Sequence, residues 1–135
     1  MKKGCPYGTH RVLEPEGTLP QPAWKIDNTM EIYDNEILID VQTLNIDSAS
    51  FTQIEQEAEG DVEKIKAKMM EIIGDRGKHH NPVTGSGGML IGTIAKIGDK
   101  LQDRDLKVGD RIATLVSLSL TPLKIDNIKE VRPEI

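Results

Sequence analysis

A chain of 135 residues supplies one hydrophobic core and is too short for two ordinary domains. Its formal charge of -5, and aromatic residues limited to Tyr7, Trp24, Tyr33 and Phe51, argue against nucleic acid. A duplex binder needs a basic face and a single-strand binder needs stacking platforms. The single cysteine, Cys5, excludes an internal disulfide framework and a cysteine-rich zinc lobe. No apolar run approaches membrane-spanning length, and Pro6, Tyr7 and Gly8 stand where a signal peptide would need an apolar core. The chain therefore reads as soluble and cytoplasmic, with no membrane partner.

Residues 1–30 contain Pro6, Pro15, Pro20 and Pro22, which predicts an irregular arm with one short strand at Thr9–Leu13 and Trp24 as its anchor. The apolar run Ile37, Leu38, Ile39, Val41 and Leu44 predicts a largely buried strand over Glu36–Leu44. A short helix is expected over Ala49–Glu59, ended by Gly60. A second follows Asp61 as N-cap, with Val62, Ile65, Met69, Ile72 and Ile73 at helical spacing and Gly74 or Gly77 at its end. Strands are predicted over Met89–Ile97, Arg111–Leu118, Leu120–Ile125 and Ile128–Val131, with turns at Gly98-Asp99, Gly109-Asp110 and Pro122. The sum is a mainly β fold with two to three helices, arranged as a small barrel or sandwich.

The chemistry concentrates between Lys78 and Gly92. Gly85-Ser86-Gly87-Gly88 is not a dinucleotide fingerprint, because Pro82 precedes it and a strand pattern follows it, whereas that fingerprint needs a strand before and a helix after. It is either a loop with positive φ angles or a place where a ligand meets bare backbone. His79 and His80 are sequence neighbours and point apart in an extended chain, so one at most faces a site as a base or proton relay, and taken alone each reads as an ordinary surface or loop histidine. Asp47 is placed to cap the first helix, or to hold an ammonium group or accept a proton. His10 shows no neighbouring cleft signal, and Arg11 could pair with a carboxylate. No residue set here makes a catalytic zinc site.

Lys107-Val108-Gly109-Asp110-Arg111-Ile112-Ala113, following Gly92-Thr93-Ile94-Ala95-Lys96-Ile97-Gly98, resembles the turn and strand of the GroES-like N-terminal domain of medium-chain dehydrogenases. Asp47 stands at or beside the place where zinc-dependent members carry a cysteine, which points to a zinc-free branch. More specifically, four runs are similar to the N-terminal portion of the L-erythro-3,5-diaminohexanoate dehydrogenase family. They are Gly4–Val12, Pro20–Asp27, Asp47–Ile54 and Gly77–Gly88. The resemblance implies a GroES-like, partly open β-barrel over residues 1–135, with a nicotinamide-binding Rossmann domain expected after Ile135. It implies NAD as cofactor, bound mainly by that second domain, a small diamino acid as substrate, and a homo-oligomer for the full enzyme. The implied reaction, in lysine fermentation, is oxidative deamination at C3 to 5-amino-3-oxohexanoate.

Such a substrate carries two ammonium groups and one carboxylate. The C3 ammonium must lose a proton before hydride can leave, so a base is required. Chemistry and position assign that role to His79, His80 or Asp47. Substrate binding falls to Arg11, Ser48, Ser86, Gly87 and Gly88, with Arg11 or a lysine on the carboxylate and an acidic side chain on the C5 ammonium. The alternative is a non-catalytic GroES-like module for binding or oligomerisation.

Overall fold

The computed structural model describes residues 1–132, so the domain boundary expected at Ile135 lies outside the described residues. Five strands and two helices run in the order β1 (Val12–Glu14), β2 (Lys25–Ile26), β3 (Ile37–Ile46), α1 (Ser48–Glu57), α2 (Val62–Arg76), β4 (Gly88–Ile97) and β5 (Arg111–Ala113). Alternating and continuous apolar residues in β3 and β4 build a long antiparallel ladder, from Ile37 opposite Ile97 to Ile46 opposite Gly88, with two irregularities in register. β5 adds to β4 across Ile91–Thr93, giving a sheet ordered β3-β4-β5, while β1 and β2 form a separate two-stranded sheet. Among the described residues the strands do not close into a barrel, and no helix is long and apolar enough to cross a membrane.

Both helices form where the spacing places them. Asp61 Oδ1 accepts from the backbone N–H groups of Glu63 and Lys64, closing the N-terminus of α2. Ile65, Met69, Ile72 and Ile73 are buried at i, i+4, i+7 and i+8, whereas Val62 in the first turn remains exposed. Ile54 and Ala58 after α1 meet Ile65, Met69 and Ile72, and Ile46, Phe51, Ile128 and Val131 pack against this cluster.

Gly77, not Gly74, ends α2, in left-handed conformation with its N–H bonded to Ile73 O. Its α-carbon lies against the backbone carbonyl of Ile26, so a Cβ would collide with fixed backbone of the arm. Helix end and arm are therefore in contact through a residue that must be glycine.

Several expectations are corrected. No residue of β3 is fully buried, and Ile37, Leu38, Ile39 and Val41 in its first half border an open cavity. The strand expected over Arg111–Leu118 stops at Ala113, where pairing with β4 ends, and Ser117 Oγ accepts from Ser119 N to start a 3-10 turn. Leu120–Ile125 is not a strand: Pro122 has no N–H, and Leu123 instead bonds Gly77 O and the Asn28 side chain. Ile128–Val131 is coil whose apolar ends cover the helix pair. Thr9–Arg11 is a 3-10 turn, and only Val12–Glu14 is extended. Trp24 is half exposed; its neighbours Ala23 and Ile26 are the buried anchors, while its ring lies 4.0 Å from the Arg76 guanidinium.

Gly77→Ala is expected to cost about 2 kcal/mol or more of unfolding free energy. Gly85→Ala, also at positive φ but facing open space, should cost about 1 kcal/mol, and urea titration of both variants measures the difference.

Candidate functional site

Between α2 and β4 the chain makes a polar loop whose hub is Asn81. This residue is fully buried, and its Nδ2 donates to Gln53 Oε1 at 2.9 Å and Ser50 Oγ at 3.2 Å on α1. Its Oδ1 accepts from Val83 N at 2.8 Å and Thr84 N at 3.2 Å, and its backbone bonds Ser86 O and Gly85 N. Every polar group of a buried amide is thereby satisfied, which fixes the loop on α1. Asn81 carries no motif signal; an Asn-Pro pair announces a turn, not burial.

The loop meets Asp47 where β3 passes into α1. Asp47 N donates to Gly87 O at 3.0 Å, and Gly87 N donates back to Asp47 Oδ2 at 3.3 Å. The carboxylate makes no capping bond to α1, although the residue occupies the N-cap position, and it is exposed beside exposed Ser48. Ser86 stands half-buried next to it, with its hydroxyl on Thr84 Oγ1 at 2.7 Å. Gly88 pairs with Ile46 across the ladder. Asp47, Ser48, Ser86, Gly87 and Gly88 are thus brought to one edge.

The histidines behave differently from one another. His79 is fully buried, and neither ring nitrogen has a hydrogen-bond partner among the described residues. Burial first, and the charge of His80 second, lower its pKa to about 4, against a raising pull from Asp47. His80 is half-buried, with Nε2 3.0 Å from Gly85 O, and burial with the Lys78 and Arg76 charges lowers it also to about 4. Both imidazoles are neutral near pH 7, and His79 has no route to a substrate from its buried position. Lys78, not singled out in the sequence, is fully buried: its Nζ donates to Pro20 O at 2.8 Å and Gln21 O at 3.3 Å. Burial and the Arg76 charge hold its pKa down at about 8. Arg76 completes this joint, donating to Trp24 O at 2.6 Å and to His80 O.

Arg11 is not in this cluster, and the carboxylate it pairs with is that of Glu36. Its Nε and Nη2 grip Glu36 at 2.8 and 2.7 Å, and the remaining N–H groups bond the carbonyls of Asp27, Thr29 and Glu31. All five donors are engaged within the arm. His10 Nδ1 accepts from Cys5 N at 2.9 Å, so its Nε2 carries the proton shared with Glu36 at 3.0 Å. Burial alone would raise the Glu36 carboxyl, but hydrogen bonds from Arg11, Tyr33 N and His10 hold it at about 2.

His10 and Arg11 instead border an open cavity of about 700 Å³ between the arm, the first half of β3 and residues 114–124, which the reading of His10 gave no reason to expect. Its walls mix Leu, Ile and Val with polar and charged residues, among them Arg11, Glu36 and Lys124, and none of the loop cluster lines it.

The glycine loop does not fit a nicotinamide dinucleotide. A Cβ on Gly87 would meet Ser119 N and His79 O, and one on Gly88 would meet Asn45 O, so the chain's own backbone fills the space beside both. No three potential metal ligands of the His, Cys, Asp and Glu types converge among the described residues.

In NMR of the ring nitrogens, His79 and His80 are expected to stay neutral at pH 6 and protonate only near pH 4. Because the Glu36 pKa is depressed on folding, its contribution is complete above the unfolded value near 4.3 and is lost as pH falls toward 2. Up to about 3 kcal/mol should disappear over that window. Glu36→Gln should be less stable at pH 7 and show a shallower acid slope, as read by urea titration at several pH values.

Comparison with known proteins places these features in a family. Residues 10–135 match the L-erythro-3,5-diaminohexanoate dehydrogenase N-terminal domain. The chain is 74% identical over 136 residues to an L-erythro-3,5-diaminohexanoate dehydrogenase of Fusobacterium nucleatum, covering 100% of this chain. It is 71% identical over 134 residues, 98% of this chain, to the enzyme of the same name from Acetoanaerobium sticklandii. The chain spans 39% of the length of each relative. It belongs to the L-erythro-3,5-diaminohexanoate dehydrogenase N-terminal domain family.

Proposed function

We propose that this domain forms the substrate-side wall of an NAD-dependent L-erythro-3,5-diaminohexanoate dehydrogenase of lysine fermentation, which deaminates C3 oxidatively to 5-amino-3-oxohexanoate. The observation that carries the reading is the Asp47 carboxylate, exposed at the mouth of the glycine loop, tied to Gly87 N and released from capping its own helix. A carboxylate so placed attracts an ammonium group and can take a proton from it, the step required before C3 is oxidised. Ser48 and Ser86 flank it with neutral hydroxyls, and Gly87 and Gly88 hold the wall.

The family match and the identity of 71–74% to enzymes of that name support the substrate class. His79 is fully buried and His80 Nε2 is engaged with Gly85 O, which leaves the exposed Asp47 carboxylate as the group in reach of an ammonium proton. Nothing in the described residues cradles the dinucleotide, so its binding is assigned to the part of the protein beyond this domain. The turn at Lys107–Asp110, docked on β4 through Gly109 N to Ile94 O at 2.8 Å and Ile94 N to Asp110 O at 2.9 Å, supports a GroES-like domain of the zinc-free medium-chain branch.

In the complete enzyme, Asp47→Asn should lower kcat/KM for 3,5-diaminohexanoate by about 100-fold or more, with the fold intact by circular dichroism. Wild-type kcat/KM in Asp47→Asn across pH 6–10 would remove Asp47 from the reaction.

A further inference from the structure

Asp47 occupies the N-cap position of α1 yet its side chain bonds none of that helix's N–H groups. Among the described residues its carboxylate has a single hydrogen-bond partner, Gly87 N at 3.3 Å. The direction of that carboxylate is therefore set by where Gly87 sits. Gly87 is closely held, because its C=O accepts from Asp47 N, and a Cβ on it would lie 2.7 Å from Ser119 N and 2.9 Å from His79 O.

The loop that leads to Gly87 reaches α1 through one group. Among the described residues, every side-chain hydrogen bond between residues 78–87 and α1 starts from Asn81 Nδ2. The shortest, 2.9 Å, ends on Gln53 Oε1, and those to Ser50 Oγ and Ser50 O are 3.2 and 3.4 Å. The bonds from His80 to Gly85 O and between Thr84 Oγ1 and Ser86 Oγ stay within the loop. Gln53 is oriented from its far side: its Nε2 donates to Glu57 Oε2 at 2.9 Å, and Glu57 pairs with Lys68 of α2 at 3.4 Å. Its amide thus presents oxygen to Asn81, since a flipped amide would set N–H against N–H there. Beyond Asn81, Oδ1 collects Val83 N and Thr84 N, and the backbone ties Ser86 O and Gly85 N. A continuous run of bonds leads from α1 through Asn81 to Gly87 and ends on the carboxylate.

We propose that Gln53 is a positioning residue for Asp47: its side-chain oxygen, through Asn81 and the loop, fixes Gly87 N and with it the carboxylate that takes the substrate's ammonium proton. Gln53 itself touches neither substrate nor reacting atoms. The inference rests on the reading of Asp47 as proton acceptor. A base acts only within hydrogen-bond reach of the proton it removes, and a displacement of about 1 Å costs on the order of 100-fold in rate. Losing one of three tethers displaces it less, and the loss is correspondingly smaller.

The test uses the complete enzyme with Gln53→Leu, which removes the acceptor and keeps the bulk, and Gln53→Glu, which restores an acceptor. Gln56→Leu, at an exposed position of the same helix, is the control. Asn81 is left unchanged, because its replacement endangers the whole loop. Gln53→Leu is expected to lower kcat for 3,5-diaminohexanoate about tenfold at nearly constant KM. Hydrogen exchange at the Gly87 amide should speed up about tenfold, with the melting temperature held within about 2 °C. Gln53→Glu recovers most of kcat, and the control matches the unmodified enzyme. Wild-type kcat in Gln53→Leu, with Asp47→Asn impaired, would overturn the inference. Equal losses in Gln53→Leu and Gln53→Glu, or faster exchange throughout α1 with a lower melting temperature, would overturn it too, leaving Gln53 a packing residue. Unimpaired turnover in Asp47→Asn would end the reading of Asp47 and this inference with it, and that variant alone tells this failure from the others.

Discussion

Much of the first third of this molecule hangs on the pairing of Arg11 with Glu36. The arm has little regular structure to satisfy its own backbone, and its prolines cannot donate. A single buried guanidinium answers for this by bonding three carbonyls, those of Asp27, Thr29 and Glu31, while its charge is met by Glu36 just before β3. The planar fork makes this possible: two N–H groups face the carboxylate and three remain for the chain around it. The pair also bounds one end of the cavity, so the shape of that hollow follows from the same ion pair. An Arg buried without its carboxylate would cost several kcal/mol, which makes the arrangement all-or-none.

The loop before β4 is held by the same accounting of polar groups, without a charge. Asn81 satisfies both of its own amide ends and ties the loop to Ser50 and Gln53 of α1, while Asp47 makes no side-chain capping bond to that helix. The carboxylate is therefore available at the surface, oriented by one weak bond to Gly87. Behind it, Lys78 and Arg76 bind carbonyls of the arm, so the loop and the arm form one unit. Burial and the neighbouring Arg76 charge lower the pKa of this lysine.

How much was legible depends on whether a feature is decided locally. Asp61 and Gly77 bracket α2 because capping is settled within one turn, and the apolar spacing between them named four of the buried residues. β4 was legible for the same reason. The C-terminal strands were not: Leu115, Val116 and Leu120–Ile125 have strand-forming side chains, but a strand needs a partner edge, and β5 finds one for three residues only. The surroundings of His79 and Arg11 were not legible for the complementary reason. Their residue types suggest chemistry, but burial and the identity of the partner are long-range facts, and Glu36 lies 25 residues from Arg11.

The sequence alone determined the helices, the main hairpin strand, the absence of a cysteine framework and the resemblance that places the chain in its family, because these follow from spacing, composition and contiguous motifs. The tertiary structure alone decided that Asp47 and Gly87, 40 residues apart, share an edge, that His79 is sealed away, and that Arg11 faces inward. It also decided that a hollow stays open beside a strand paired along one edge only. Those outcomes depend on which distant groups meet, since charge, burial and hydrogen bonding are settled by neighbours in space.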